Sequence, residues 1–388
     1  MALFRRRRSS DSTAAIAAFW DAWPSLRGPL AEAASSETPI PEEVAERVTA
    51  LVRAIHPELD WEVGPAPSRP EGIEDLDLSM DVDPGKLLEQ LAALDAPGKL
   101  ETPEHALTLR PGASDDARIQ SERWSRSAPT DDTWAFLPVR PADHGRLSGS
   151  VRWDDHELDL SHVAVSLRVD QASRRIDVGV YHPDNMFLSE ETRRGLAEHV
   201  VLLALGEDDV VRWVGQVTTL DESPLDPLSA TAIPAAVRQM IDFLGGSNDG
   251  WVTLSGTNLR KEQLVFTARH PLTRRDFPAF TLAVHVTVPY TGKDGEGQPD
   301  ETSAAAMQEL DNRVERTLGD NGALFLKSTL SGISERLYYL DPDSGVLPEF
   351  EEAFKGWSEG TVKLRSQLDP ERMVFGLKLR PHRRFFQG

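Results

Sequence analysis

The sequence predicts an α+β protein of two domains, each an antiparallel sheet covered by helices, the C-terminal one ferredoxin-like. Three observations carry this. From about Phe277 the patterning alternates in the order β-α-β-β-α-β, which lets two helices pack on one face of a small sheet, the split βαβ layout. The first half shows period-two strand segments mixed with helical stripes. At 388 residues, 39% of them hydrophobic, the chain exceeds what one core organises well. The expected division is a basic tail with an amphipathic helix over 1–40, an N-terminal α+β domain over 41–225 and a C-terminal domain over 226–388.

Residues 1–10 form a basic, Ser-containing tail. A short helix follows, with Asp11 or Ser12 as N-cap and Pro24 as its end. Its Ile16, Phe19, Trp20 and Trp23 fall at i, i+3, i+4 and i+7, one helical face. Pro41 opens a second helix to Ile55, whose buried stripe is Val44, Val48, Leu51, Val52 and Ile55. Strands are expected at 59–63, 105–110, 133–139, 147–153, 163–169 and 175–181. The last two form a hairpin, because Val163, Val165, Leu167 and Val169 alternate with polar or small residues, as do Ile176, Val178 and Val180. Residues 64–104, rich in Pro, Gly and acids around one short helix (84–94), read as a surface insertion. A helix over 189–204 starts at Ser189, with Glu190 and Glu191 complementing its dipole. The Pro-rich, polar stretch 221–233 is the linker.

In the C-terminal domain, helix 234–244 leads in, and Gly245-Gly246 and Ser255-Gly256 read as turns. Phe280, Leu282, Val284, Val286 and Val288 line one strand face, and 291–300 is a charged, Gly-rich loop. Met307, Leu310, Val314 and Leu318 mark a helix ending near Gly319. A hairpin over 323–340 turns at Ser331-Gly332. Leu347, Phe350, Phe354 and Trp357 mark the second helix, 361–368 returns as a strand, and Met373–Leu377 reads as a last apolar strand.

These residues also carry a family likeness. Phe277-Pro278 precedes a strand, Gly297-Gln298-Pro299 forms a turn with acids after it, and the hairpin ends Glu335-Arg336-Leu337-Tyr338-Tyr339. Asp369-Pro370 and Pro381 complete the pattern. This third of the chain resembles the bacterial family of domains of unknown function numbered 695. Where that family has Trp after the Asp-Pro, Arg372 stands here, while Phe375 keeps the aromatic. The family carries no accepted catalytic residues. Similar domains sit near regulators and inhibitors, which implies protein binding. The stretch Ile55–Glu62, with Trp134 to Pro141 downstream, resembles a second uncharacterised bacterial module.

Composition narrows the function. A net charge of −21 opposes broad nucleic-acid binding, which needs a basic footprint, and keeps the chain soluble while steering it toward basic partners. No apolar run approaches the roughly 20 residues of a membrane span, so no transmembrane segment is expected. The N-terminus has no apolar stretch of a secretory signal, and without cysteine there is no disulfide or thiolate nucleophile. A cytoplasmic location fits.

The chemistry-bearing candidates are few. His156 and His162, with Asp154, Asp155 and Asp159 nearby, could form a divalent-metal or hydrolytic site, or simply a polar hairpin turn. Glu207-Asp208-Asp209 reads as the acidic first turn of a short helix rather than a metal cluster. His285 lies opposite Val284 and Val286 with no identifiable partner, hence a satisfied or surface histidine rather than a general base. No phosphate-binding loop, dinucleotide fingerprint or nucleophile elbow occurs. The sharpest positive feature is Arg5, Arg6, Arg7 and Arg8 beside the Ile16/Phe19/Trp20/Trp23 face. That face could pack on its own domain, dock a partner groove, or lie on an anionic membrane. The reading is a non-enzymatic protein-binding protein of inhibitor, immunity or regulatory type, without cofactor or metal. Its weak anchors are Trp20, Trp23 and Trp213 with Phe19 and Arg5–Arg8. An unrecognised metal-dependent hydrolase and a peripheral membrane-surface adaptor are the alternatives.

Overall fold

A sheet needs an apolar face to cover, and in this chain helices supply the cover throughout. The computed structural model describes residues 2–36, 39–67, 103–153, 156–170, 173–243, 250–258, 261–273 and 275–385, with side chains from Ser12 onward except those of 36, 243 and 383–385. The expected insertion helix 84–94 and Gly245-Gly246 lie outside the described residues. The chain divides into two compact units, 1–233 and 234–388. Leu228 and Ser229 pair with Val165 and Ala164 and so belong to the first unit.

The first unit opens with α1 (Ala2–Ser36) and α2 (Glu42–Ile55). Three strands, β1 (Asp60–Pro65), β2 (His105–Arg110) and β3 (Trp134–Leu137), form one sheet, with α3 (Asp115–Arg126) between β2 and β3. α1 does not stop at Pro24; it runs through Pro24 and Pro29. An interior proline costs a helix about 3 kcal/mol. Here Leu26 and Leu30 extend the stripe Ile16, Phe19, Trp23 and both are fully buried. Each contributes about 1.5–3 kcal/mol of burial, which offsets much of the cost of the two prolines.

A two-stranded ribbon, β4 (Ser150–Trp153) with β5 (His156–Asp159), precedes the second sheet. That sheet runs in the order β8-β7-β6-β9, with β6 (Ala164–Asp170), β7 (Arg175–Tyr181), β8 (Val214–Thr219) and β9 (Leu228–Ser229). The expected β6–β7 hairpin is antiparallel, Val165 facing Val180. Two pairs in this unit are parallel: β2 with β3, and β7 with β8. In each case a helix connects the strands, and a helical crossover returns the chain in the same direction. The β7–β8 crossover is α4 (Glu190–Trp213), capped by Ser189 and broken at Gly206, φ +72°. A Cβ at Gly206 would sit 2.7 Å from the Ala142 nitrogen, so both dihedral and space demand glycine.

The second unit begins at Pro234, in α5 (Ile233–Phe243), and holds a six-stranded antiparallel sheet in the order β10-β11-β13-β14-β12-β15. Its strands are β10 (Trp251–Thr257), β11 (Gln263–Arg269), β12 (Leu282–Pro289), β13 (Gly322–Leu330), β14 (Ile333–Leu340) and β15 (Lys363–Leu368). The β-α-β-β-α-β run supplies the last four in sheet order, interleaved as the alternation predicts, with α6 (Glu301–Leu318) and α7 (Leu347–Ala353) as its helices. Val284, Val286 and Val288 pack with Leu310, Val314, Tyr338 and Phe350 on that helical side. Ser255-Gly256 is not a turn; it lies in β10, paired with Val265 and Leu264.

The opposite face is closed by α8 (Met373–Leu379), where a strand was expected. The Asp369 carboxylate decides this by accepting the Met373 and Val374 amides at 2.9 and 2.8 Å, an N-terminal cap that a short apolar run cannot signal by periodicity alone. Asp369 also accepts the Tyr339 hydroxyl at 2.6 Å. Arg372 donates to the carbonyls of Thr273, Asp276 and Phe277 and lies over the Phe325 ring. It ties Thr273, Asp276 and Phe277 to this face.

Candidate functional site

The aromatic face of α1 is core. Phe19 and Trp23 are buried, and with Trp20 they meet Trp124, Trp134 and Phe136 in edge-on and stacked contacts. Trp20, half-buried, donates its indole N–H to Ser127. Trp213 is buried beneath the Arg212 guanidinium. None of the four offers a free anchor, because each fills a contact inside its own unit. Arg5–Arg8 belong to α1, but their side chains lie outside the described residues. Met186, Phe187 and Leu225, among the large apolar side chains exposed in the first unit, carried no pattern in sequence.

The carboxylate and histidine candidates also disperse. His156 sits on β5, but the chain leaves the strand at Leu160 for a 3-10 turn, Leu160–His162, so the two histidines share no strand face. Asp154 and Asp155 lie outside the described residues. Glu207 accepts the Gly112 amide while Asp208 takes Arg118 at 3.0 Å. Beyond the Gly206 break these neighbours point to different partners, the arrangement expected of an acidic first turn. Among the described residues no group of three or more His, Asp or Glu is placed to hold a metal ion.

His199 is a different case. Burial, followed by the repulsion of Arg146 and Arg140, lowers its pKa to about 4, and Trp153 closes on the ring edge-on. The unfolded chain protonates at about 6.5, so between about 6.5 and 4 only the unfolded state takes up the proton. Stability therefore falls as pH drops through that window. Allowing for solvent screening at a partly exposed ring, the loss between pH 7 and pH 5 is about 1 kcal/mol. Urea midpoints at the two pH values should show it, with a shallower drop in His199→Gln.

The described polar side chains converge best on the α8 face of the second sheet. Strand alternation puts Ala283, His285 and Thr287 on that face, with Glu335, Leu337 and Tyr339 of β14 and Lys363, Arg365 and Gln367 of β15 beside them. Lys378, from α8, donates to Glu335 at 2.7 Å and lies 3.3 Å from His285 Nε2, which is itself 3.6 Å from Glu335. The hydrogen bond from His285 and the Lys378 ammonium, against partial burial, hold the Glu335 carboxyl at about 2. So strong an acid accepts protons poorly at neutral pH, which suits a fixed negative charge better than a general base.

Beside this trio lies an open depression of about 210 Å³, floored by Ala283, Leu337 and Val374 and rimmed by His285, Arg365 and Lys378. A second depression, of about 430 Å³, follows the turn 111–114 in the first unit. Its one charged group, Glu58, accepts the Ser114 hydroxyl that also caps α3. His285 was legible as a strand residue, but the members of its trio are separated by 43 to 93 residues in sequence and are aligned only by strand pairing and α8.

Beyond this face, β15 ends the sheet. Five of its six residues are exposed, Leu368 to 68%. Compared with protein-family models, with curated proteins and with solved structures, the chain matches none. Among the described residues no helix is long and apolar enough to cross a membrane.

Proposed function

We propose that this protein works by binding another protein, as an inhibitor, immunity-type or regulatory factor, and that the partner adds an extended segment to the free edge of β15. The open edge carries the reading. An unpaired strand presents a row of backbone donors and acceptors ready to template another strand, and strand addition is a recurrent mode of peptide capture. Lys363 and Arg365 alternate along it on one face, exposed and without an ion-pair partner among the described residues. Net charge argues for a basic partner in the long-range field; at this edge the local field is positive, so the docking segment is acidic where it faces them.

The test is retention of a partner from the native host by the full chain, compared with a Lys363→Glu/Leu368→Glu variant. Both positions are exposed, so the variant should fold. The partner should be lost from the variant, and in the wild-type complex the 363–368 amides should gain hydrogen-exchange protection. Equal retention by both proteins, or protection confined to another surface, would overturn it.

A further inference from the structure

We infer that the depression between β12, β14, β15 and α8 is a binding site for a small monocarboxylate with a short apolar body. The site adjoins the β15 edge and shares Arg365 with it, but neither Lys363 nor Leu368 lines it.

Its chemistry is two-sided. Ala283 and Leu337 are buried apolar floor, and Val374 adds a third apolar wall. The rim holds two cations, Arg365 and Lys378, against the single carboxylate of Glu335, and so is net positive in a chain of charge −21. Glu335 occupies Lys378 from one side, and an ammonium has three donors, so donors remain for a ligand. Arg365 has no hydrogen-bond or ion-pair partner among the described residues, and strand pairing sets it directly opposite His285. A planar guanidinium matches a carboxylate with two parallel N–H bonds. The Gln367 amide, on the same face two residues on, supplies neutral donors.

Size and floor narrow the class. About 210 Å³ is on the scale of a five- or six-carbon acid. Inorganic phosphate would reach the rim cations but make no apolar contact with the floor. A long acyl chain would exceed the depression. The ligand that satisfies rim and floor together is a branched or straight short-chain carboxylate.

Methyl-detected NMR of the full chain, labelled at Ala, Leu and Val, reads this directly, with 4-methylpentanoate as probe. The Ala283, Leu337 and Val374 signals should shift saturably. Binding should weaken about tenfold or more with 4-methylpentanamide, which keeps the shape and removes the charge, as expected when a charge-assisted contact is lost. R365Q, an exposed substitution, should weaken the acid by a similar factor and leave the amide unaffected. No saturable shift at tens of millimolar acid overturns the proposal. So does equal binding of acid and amide, or of inorganic phosphate, and so does an R365Q protein that binds the acid unchanged. A failure here leaves the β15 test untouched, because the two tests substitute different residues and read different probes.

Discussion

Replacing Asp311 by alanine is expected to destabilise the second unit by about 3–5 kcal/mol, the cost of leaving a buried charge unpaired. Arg336 projects from β14 toward α6 and is fully buried. Its guanidinium makes an ion pair to Asp311 at 2.9 Å and no aligned hydrogen bond among the described residues. Lys327, across the β13–β14 pair, takes the other Asp311 oxygen at 2.6 Å. One carboxylate therefore neutralises two cations, and its loss strands Arg336 in an apolar layer between sheet and helix. Arg336→Met should behave differently. It replaces the buried ion with an apolar chain of similar length and leaves Asp311 paired with Lys327, so it should cost little or even stabilise. Urea unfolding with hydrogen exchange at the β13–β14 amides separates the two variants. An Asp311→Ala protein within about 1 kcal/mol of wild type would show that Arg336 is not held by this pair.

What could be read in the sequence follows from how each element is stabilised. β12 was legible because Val284, Val286 and Val288 all face one core. The β13–β14 turn was legible because Gly332 adopts φ of +91°, which glycine tolerates without a Cβ penalty. β10 was not. Its Ser, Gly and Thr look like turn chemistry, and it is held by cross-strand contacts such as Thr253 with Thr267 and the Arg269 guanidinium over Trp251. α3 was missed for a related reason. Its inner face is Ala117, Arg118, Ser121 and Trp124, a stripe too polar to announce burial. At the candidate site, β14 alternation puts Glu335 and Arg336 on opposite faces of one strand, one in the open cluster and one sealed against Asp311. Residue type could not distinguish these roles; the strand's two faces do.

Phe19→Ala should cost the first unit about 3–5 kcal/mol, the usual range for removing a fully buried aromatic ring. Sequence left three occupants open for the aromatic face of α1: its own domain, a partner groove, or a membrane. The structure fills that face from within. Phe19 meets Trp20 and Trp124 edge-on at centroid distances of 5.1 and 5.5 Å, and Trp23 meets Trp134 and Phe136 at 5.0 and 5.1 Å. Val48, Val52 and Ile55 of α2 and Leu107 and Leu109 of β2 complete the same core. A ring that anchored a partner would be removable with little effect on folding, whereas one shared by two helices and a sheet is not. Tryptophan fluorescence during urea unfolding decides between them, and a midpoint unchanged in Phe19→Ala would return the face to docking. The same packing governs how the basic segment is probed. Truncation through residue 25 removes Ile16, Phe19 and Trp23 from the core together with the arginines. A Gln substitution at Arg5–Arg8 in the full chain isolates the charge, and only that variant makes liposome flotation interpretable.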